Sequence, residues 1–224
     1  MNEQGKPYKA VLFDIDGTLL DSNDAHAASF VRAFHEFGKT ISFFELKWLI
    51  GMGADKILEK FLSPKEIERF GERLTARRKE IFLADYLPRL EKFAKVDELF
   101  RKLKKDGLRI ALASSASREE LEKYHGILKI DRYLDRETSS DDADASKPEP
   151  DIFLAALEKL EGVRREQTLV VGDTPFDAEA ARRAGLKIVG VKTGGWSRRR
   201  LLGAGCVEVY DDVDAILGQY DSLF

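Results

Sequence analysis

Short apolar runs alternating with helical patterns constrain this chain more than any other feature. Residues 10–13, 109–113, 168–171, 187–191 and 207–210 read as strands. Most of these runs are apolar without period-two alternation, the mark of parallel strands covered on both faces. The stretches 118–124, 151–160, 176–184 and 213–217 carry helical patterns between them and supply the crossovers. The expected fold is therefore α/β, a Rossmann-like doubly wound parallel sheet.

One interval breaks the alternation. No strand is expected between Phe13 and Arg109, while Ala27, Phe30, Phe34 and Phe37 fall at helical spacing, as do Ile67, Phe70 and Leu74. Ser63-Pro64-Lys65-Glu66 has the order of a helix start: a capping hydroxyl, proline at the first position, then an acid. Residues 20–90 are thus expected to form a helical domain inserted into an α/β core made of 1–19 and 91–224. The aromatics of the insertion (Phe30, Phe34, Phe43, Phe44, Trp48, Phe61, Phe70, Phe82) are read as its core, since a small helical unit needs that bulk.

Composition narrows the partners. With 43% hydrophobic and 34% charged residues and a net charge of −3, the 224-residue chain suits a soluble globular protein and not a nucleic-acid binder. No apolar stretch is long enough for a bilayer, and the opening MNEQGKPYKA lacks the apolar centre of a secretory signal. A single cysteine, Cys206, excludes an internal disulfide and points to a reducing cytoplasm, the thiol packing as a small hydrophobe. His26, His35 and His125 lack zinc-ligand spacing, and the runs Arg77-Arg78-Lys79 and Arg198-Arg199-Arg200 are read as solvated faces. A monomer is the default expectation, a dimer the alternative.

In a parallel α/β sheet, ligands bind beyond the carboxyl ends of the strands. The first run ends in Asp14-Ile15-Asp16-Gly17-Thr18, the second in Ser114-Ser115, and TLVVGD in Asp173, with Asp177 one helical turn on. Ser146-Lys147-Pro148 precedes the helix opening at Asp151. Asp16-Gly17 alone would make an ordinary turn. Several carboxylates brought to one rim repel one another unless a cation neutralises them, and all-oxygen ligands suit Mg²⁺. Lys147 and the donors around Ser114 and Ser115 would then receive an anion such as a phosphate.

The segments FDIDGTLLDS, LASS, SKPEPDIF, VVGDTPFDAEAARRAG and GVKTGGWSRRRLL together resemble the haloacid dehalogenase superfamily, in the branch with a helical cap inserted after the first strand. The resemblance implies Asp14 as nucleophile and Mg²⁺ ligand, and Asp16 as general acid/base whose backbone carbonyl also meets the metal. It implies Ser114, Ser115 and Lys147 at the phosphate, Asp173 as an acidic metal ligand, Asp177 as an accessory carboxylate, and Thr18 as the residue orienting Asp16 or the turn. Halide-releasing members lack the second aspartate, so Asp16 disfavours that chemistry. Sugar-phosphate mutases of the branch carry a cap arginine where this chain has Ala54, and phosphonate-cleaving relatives need a cap lysine, for which Lys47 and Lys56 are nominal candidates. His26, Lys47 and Lys56, with Trp48 and Met52, are the candidates for substrate contacts. Where relatives carry Pro-Gly before the second strand, this chain has Leu90-Glu91-Lys92-Phe93-Ala94-Lys95-Val96. The implied activity is Mg²⁺-dependent hydrolysis of a small phosphorylated metabolite through an aspartyl-phosphate. The alternatives are a sugar-phosphate mutase and a non-catalytic phosphometabolite-binding module.

Overall fold

A computed structural model describes residues 7–224. The first six residues of the opening segment lie outside the described residues. Six parallel strands, β1 (Ala10–Phe13), β2 (Arg109–Ala113), β3 (Arg136–Thr138), β4 (Thr168–Gly172), β5 (Lys187–Val191) and β6 (Glu208–Tyr210), form one sheet in the order β3-β2-β1-β4-β5-β6. This is the doubly wound arrangement expected from the alternation, with one added strand. β3 is three residues, Arg-Glu-Thr, on the sheet edge, too short and too polar to show an apolar run.

Both faces of the sheet are covered. Val11 and Phe13 pack with Leu99, Phe100 and Leu103 of α6 (Val96–Lys105) and with Leu121 and Tyr124 of α7 (Arg118–Leu128). Ala10 and Leu12 turn to the other face, against Phe153 of α8 (Asp151–Lys159), Ala178 and Ala181 of α9 (Pro175–Arg183) and Leu201 of α10 (Arg198–Ala204). Strand geometry sends successive side chains to opposite faces, so a strand covered twice must be apolar throughout. Phe13 is fully buried with its ring 4.6 Å from that of Phe100; burying a side chain of this size stabilises by about 1.5–3 kcal/mol. Cys206 packs in the second cluster, where burial pushes its thiol up to about 12. α11 (Val213–Gly218) and α12 (Tyr220–Leu223) close the chain.

Between β1 and β2 the chain is helical: α1 (Asn23–Glu36), α2 (Phe43–Lys47), α3 (Ala54–Phe61), α4 (Pro64–Glu66) and α5 (Glu72–Ile81), with π-helical turns at Ile67–Gly71 and Phe82–Tyr86. The expected start at Ser63 is a capping box with Glu66. Phe30, Phe34, Leu46, Leu58, Leu74 and Ile81 form a cluster of their own. Phe44 and Trp48, read from sequence as core, are instead 71% and 42% exposed. α2 is a single turn, and Leu46 is the one residue it buries. No described helix is long and apolar enough to cross a membrane.

Candidate active site

The strand order reverses direction at β1, whose neighbours β2 and β4 lead to opposite halves of the sheet. A crevice opens at such a switch point, beyond the carboxyl ends of the strands. Asp14 follows β1, Ser114 follows β2 and Asp173 follows β4, so all three stand on the same rim. Asp14 is held in line by its amide, which donates to Val171 at 3.0 Å. Gly17 then turns the chain with φ +78°, and a Cβ there would stand 2.2 Å from Asp173 Oδ2. Only glycine serves both the left-handed backbone and that approach.

Asp14, Asp173 and Asp177 are buried and can each bring one oxygen within 4.8 Å of the others. Lys147, 1% exposed, reaches Asp14 Oδ1 at 2.6 Å and Asp177 Oδ1 at 2.7 Å. Thr18 Oγ1 lies within donating distance of Asp14 Oδ2 (3.1 Å) and Asp173 Oδ1 (3.2 Å), and Asn23 donates to Asp173 Oδ2 at 2.8 Å. Asp177 spends its other oxygen on the α9 capping box, accepting from Thr174 N and Oγ1. Burial, opposed by Lys147 and reinforced by Asp177 and Asp16, pushes the Asp14 carboxyl up to about 7. Burial, with Asp177 and Asp14 beside it, drives Asp173 well above the usual carboxylate range. Burial also works against the Lys147 charge, but Asp14 and Asp177 outweigh it and raise its pKa. Three carboxylates against one ammonium leave negative charge that a hard divalent cation would balance, and the donors are all oxygen. The residues fit Mg²⁺.

Asp16 leaves the same turn in a different direction. Its Oδ1 accepts from Ser22 Oγ (2.5 Å), His26 Nε2 (2.9 Å) and Tyr124 Oη (3.0 Å). Burial opposes its charge, yet His26, Ser22 and Tyr124 hold its pKa below the usual value. His26 stacks on Phe82 at 4.1 Å, and its Nδ1 faces Arg78 Nη1 at 3.3 Å. An arginine can only donate, so Nδ1 accepts and Nε2 carries the hydrogen given to Asp16. Arg78 Nη1 also donates to Glu120 Oε1 at 2.9 Å, joining α5 to α7.

Arg78 corrects the sequence reading of 77–79 as a solvated run: it is 8% exposed, while Arg77 pairs with Glu36 and Glu80 at the surface. The signal was periodicity. Arg78 lies four residues after Leu74 and three before Ile81, on the buried face of α5. Tyr124 likewise follows Leu121 and precedes Leu128 on the buried face of α7. Gly194, whose added Cβ would meet Asp173 Oδ2 at 1.8 Å, and Thr193, which donates to Gly17 O at 2.5 Å, carry no comparable signal, because they arrive from a turn after β5.

A cavity of about 70 Å³ lies over Asp14 and Asp16, lined also by His26, Met52, Ala54, Ser115 and Arg78. Ser114 is fully buried, and its Oγ accepts from Ala116 N at 3.0 Å. Three of the candidate substrate contacts are not brought here, Trp48 packing against Trp196 instead. Lys47 pairs with Asp24 at 2.6 Å and Lys56 with Glu59 at 3.5 Å, and neither lines the cavity.

Residues 11–191 match the haloacid dehalogenase-like hydrolase family. A phosphoglycolate phosphatase of Aquifex aeolicus is 32% identical over 184 residues, covering 80% of this chain and 82% of its own. A pyrophosphatase PpaX of Bacillus mycoides is 29% identical over 215 residues, covering 95% and 94%. The crystal structure of a hydrolase from Pseudomonas syringae superposes with a TM-score of 0.87 at 27% identity, over 96% of this chain and 99% of that one. With the match spanning both the strand ends and the helical segment between them, the chain belongs to the haloacid dehalogenase-like hydrolases.

Proposed function

We propose that this hydrolase is a Mg²⁺-dependent phosphatase acting on a small phosphorylated metabolite through an aspartyl-phosphate, with residues 20–90 as a cap domain over the rim. The observation that carries the reading is the divergence of two carboxylates one residue apart: Asp14 among Lys147, Asp173 and Asp177, and Asp16 among the donors Ser22, His26 and Tyr124. Paired carboxylates in unlike environments are suited to unlike tasks.

In the metal-free site burial raises the Asp14 pKa to about 7. Asp14 and Asp173 with the Asp16 carbonyl would hold Mg²⁺, with Asp177 nearby, and the bound ion would supply positive charge favouring ionised Asp14 and offsetting the phosphate. Asp14 attacks phosphorus in line as the alcohol leaves. Lys147, with the Ser114 and Ser115 region, receives the phosphoryl oxygens. All three bonds to Asp16 reach Oδ1; the negative charge of the arriving phosphate favours uptake of a proton by the carboxyl, and Oδ2 would then pass it to the leaving oxygen. Asp16 then takes a proton from the water that cleaves the aspartyl-phosphate. His26, Ser22 and Tyr124 keep that carboxyl aimed throughout. The relatives named as a phosphoglycolate phosphatase and a pyrophosphatase support phosphoryl transfer to water. Ala54, in place of the arginine that the mutase alternative needs, supports hydrolysis over isomerisation. The lone buried Cys206 suits a reducing cytoplasm.

The test is phosphate release from a panel of phosphorylated metabolites with and without Mg²⁺, for wild type and Asp14→Asn. Metal-dependent release that falls by at least about 10³-fold in Asp14→Asn is expected. Equal activity of the variant sinks the nucleophile assignment. Isomer interconversion without phosphate release selects the mutase, and binding without turnover selects the non-catalytic module.

A further inference from the structure

Arg78 reaches the cavity over Asp14 and Asp16, yet no step of the hydrolysis above uses it as a contact to substrate. Among the described residues lining that cavity it is the one fixed cation; the others are Asp14, Asp16, Glu120, His26 and uncharged side chains. Its described hydrogen bonds both run through Nη1, to Glu120 Oε1 and His26 Nδ1. Nε is buried and has no hydrogen-bond partner among the described residues. Glu120 cannot turn to serve it, because Oε2 is occupied by Ser117 N and Oγ in the α7 capping box. The guanidinium is braced by the rings of Phe30 at 5.0 Å and Phe82 at 5.8 Å. A cation meant only to clasp α5 to α7 would be satisfied by Glu120, and a buried donor without an acceptor calls for an explanation. The edge formed by Nε and Nη2 is the one that takes a carboxylate or phosphate by two parallel bonds.

We propose that Arg78 is a specificity residue that binds a second anionic group of the substrate, a carboxylate or a second phosphate adjoining the transferred phosphoryl group. The inference rests on the phosphatase reading and deepens it. The enzyme then acts on phosphates that carry a second anionic group in preference to phosphate esters of uncharged alcohols of the same size. Arg78 and Glu120 also border a larger groove beside this cavity, while Ile50, Met52 and Ile57 in the cavity wall offer no hydrogen bonds to a polyol. A site built to pair a charge rejects the analogue lacking it, because its own buried group is then left unpaired.

The experiment measures kcat/KM with Mg²⁺ for phosphoglycolate, pyrophosphate and 2-hydroxyethyl phosphate, the last matching phosphoglycolate in size without its carboxylate. Wild type is expected to favour at least one doubly anionic substrate over 2-hydroxyethyl phosphate by about 10- to 100-fold, the scale of a charge-assisted bidentate contact. Which of the two is favoured tells carboxylate from phosphate. In Arg78→Gln that ratio collapses towards one. Should this variant fail to fold, Arg78→Gln combined with Glu120→Gln removes both charges and leaves neither buried alone, and the same collapse is expected. A wild-type ratio near one overturns the inference while leaving the phosphatase reading intact. An equal fall on all three substrates in the variants also overturns it, since that is the mark of a purely structural clasp. No phosphate released from any substrate by wild type overturns the phosphatase reading itself, and this inference with it.

Discussion

Asp14 and Asp16 share a turn but not an environment, and each can be probed separately. Tyr124 supplies one of three donors to Asp16 Oδ1, at 3.0 Å. Tyr124→Phe removes it without changing the shape of the core, so the Asp16 pKa rises, and the limb of the pH–rate profile belonging to Asp16 moves to higher pH. A fall in kcat of about 3- to 10-fold goes with it, on the scale of one hydrogen bond to a charged group. An unmoved profile would mean that Tyr124 does not hold the acid/base. Asp14 titrates in the opposite sense. Its metal-free pKa of about 7 lies above the ordinary carboxyl value, so the folded state binds its proton more tightly than the unfolded state does. That contribution to metal-free stability is present at low pH and is lost as pH rises towards 7. A Mg²⁺ ion bound by Asp14 and Asp173 would displace this proton together with the one on Asp173, so its affinity should climb as pH rises through about 7. Calorimetric titration at pH 6 and pH 8, in buffers of different ionisation enthalpy, checks this. Equal affinity at both values, with no proton release, would remove Asp14 from the ligand set.

At the scale of elements, the site depends on how helices begin. α9 starts with Thr174 accepting from Asp177 N and Asp177 accepting from Thr174 N, and this reciprocal cap leaves Asp177 Oδ1 for Lys147. Thr174→Ala should cost about 1 kcal/mol of stability, read as a lower urea midpoint at unchanged slope, and should also weaken Mg²⁺ binding. A lower midpoint with unaltered Mg²⁺ affinity would separate the cap from the site. The elements legible in sequence were those with a strong apolar period, such as β1, β4 and α8. β3 escaped because Arg136-Glu137-Thr138 is a polar edge strand whose pairing with β2 is a matter of backbone position. α10 escaped because its first turn is three arginines, while Leu201 alone anchors it in the core.

At the scale of the molecule, the helical segment meets the sheet domain through Phe82 and Leu87, which join the core on one face of the sheet, and through paired side chains at the rim. Arg78 and Lys79 pair with Glu120 and Glu119 on one side, and Trp48 meets Trp196 with ring centroids 4.8 Å apart. These are the chain's two tryptophans. If the segment swings as a cap, its opening exposes both rings, so acrylamide quenching of intrinsic fluorescence should fall when Mg²⁺ and inorganic phosphate are added together. Trp48→Phe should abolish most of that change. Quenching that ignores the ligands would argue against a moving cap.

The sequence by itself determined which residues stand at strand ends, because burial on both faces demands apolar runs and the first polar residue after each run is left on the rim. Asp14, Ser114 and Asp173 follow from that. Tertiary structure alone decided what surrounds them. Whether Arg78 faces water or His26, and whether Lys47 reaches the cavity or only Asp24, depends on how the helical segment packs against α7 and the rim. Local periodicity describes which face of a helix is buried, whereas the partner of a long flexible cation is chosen by elements distant in the chain.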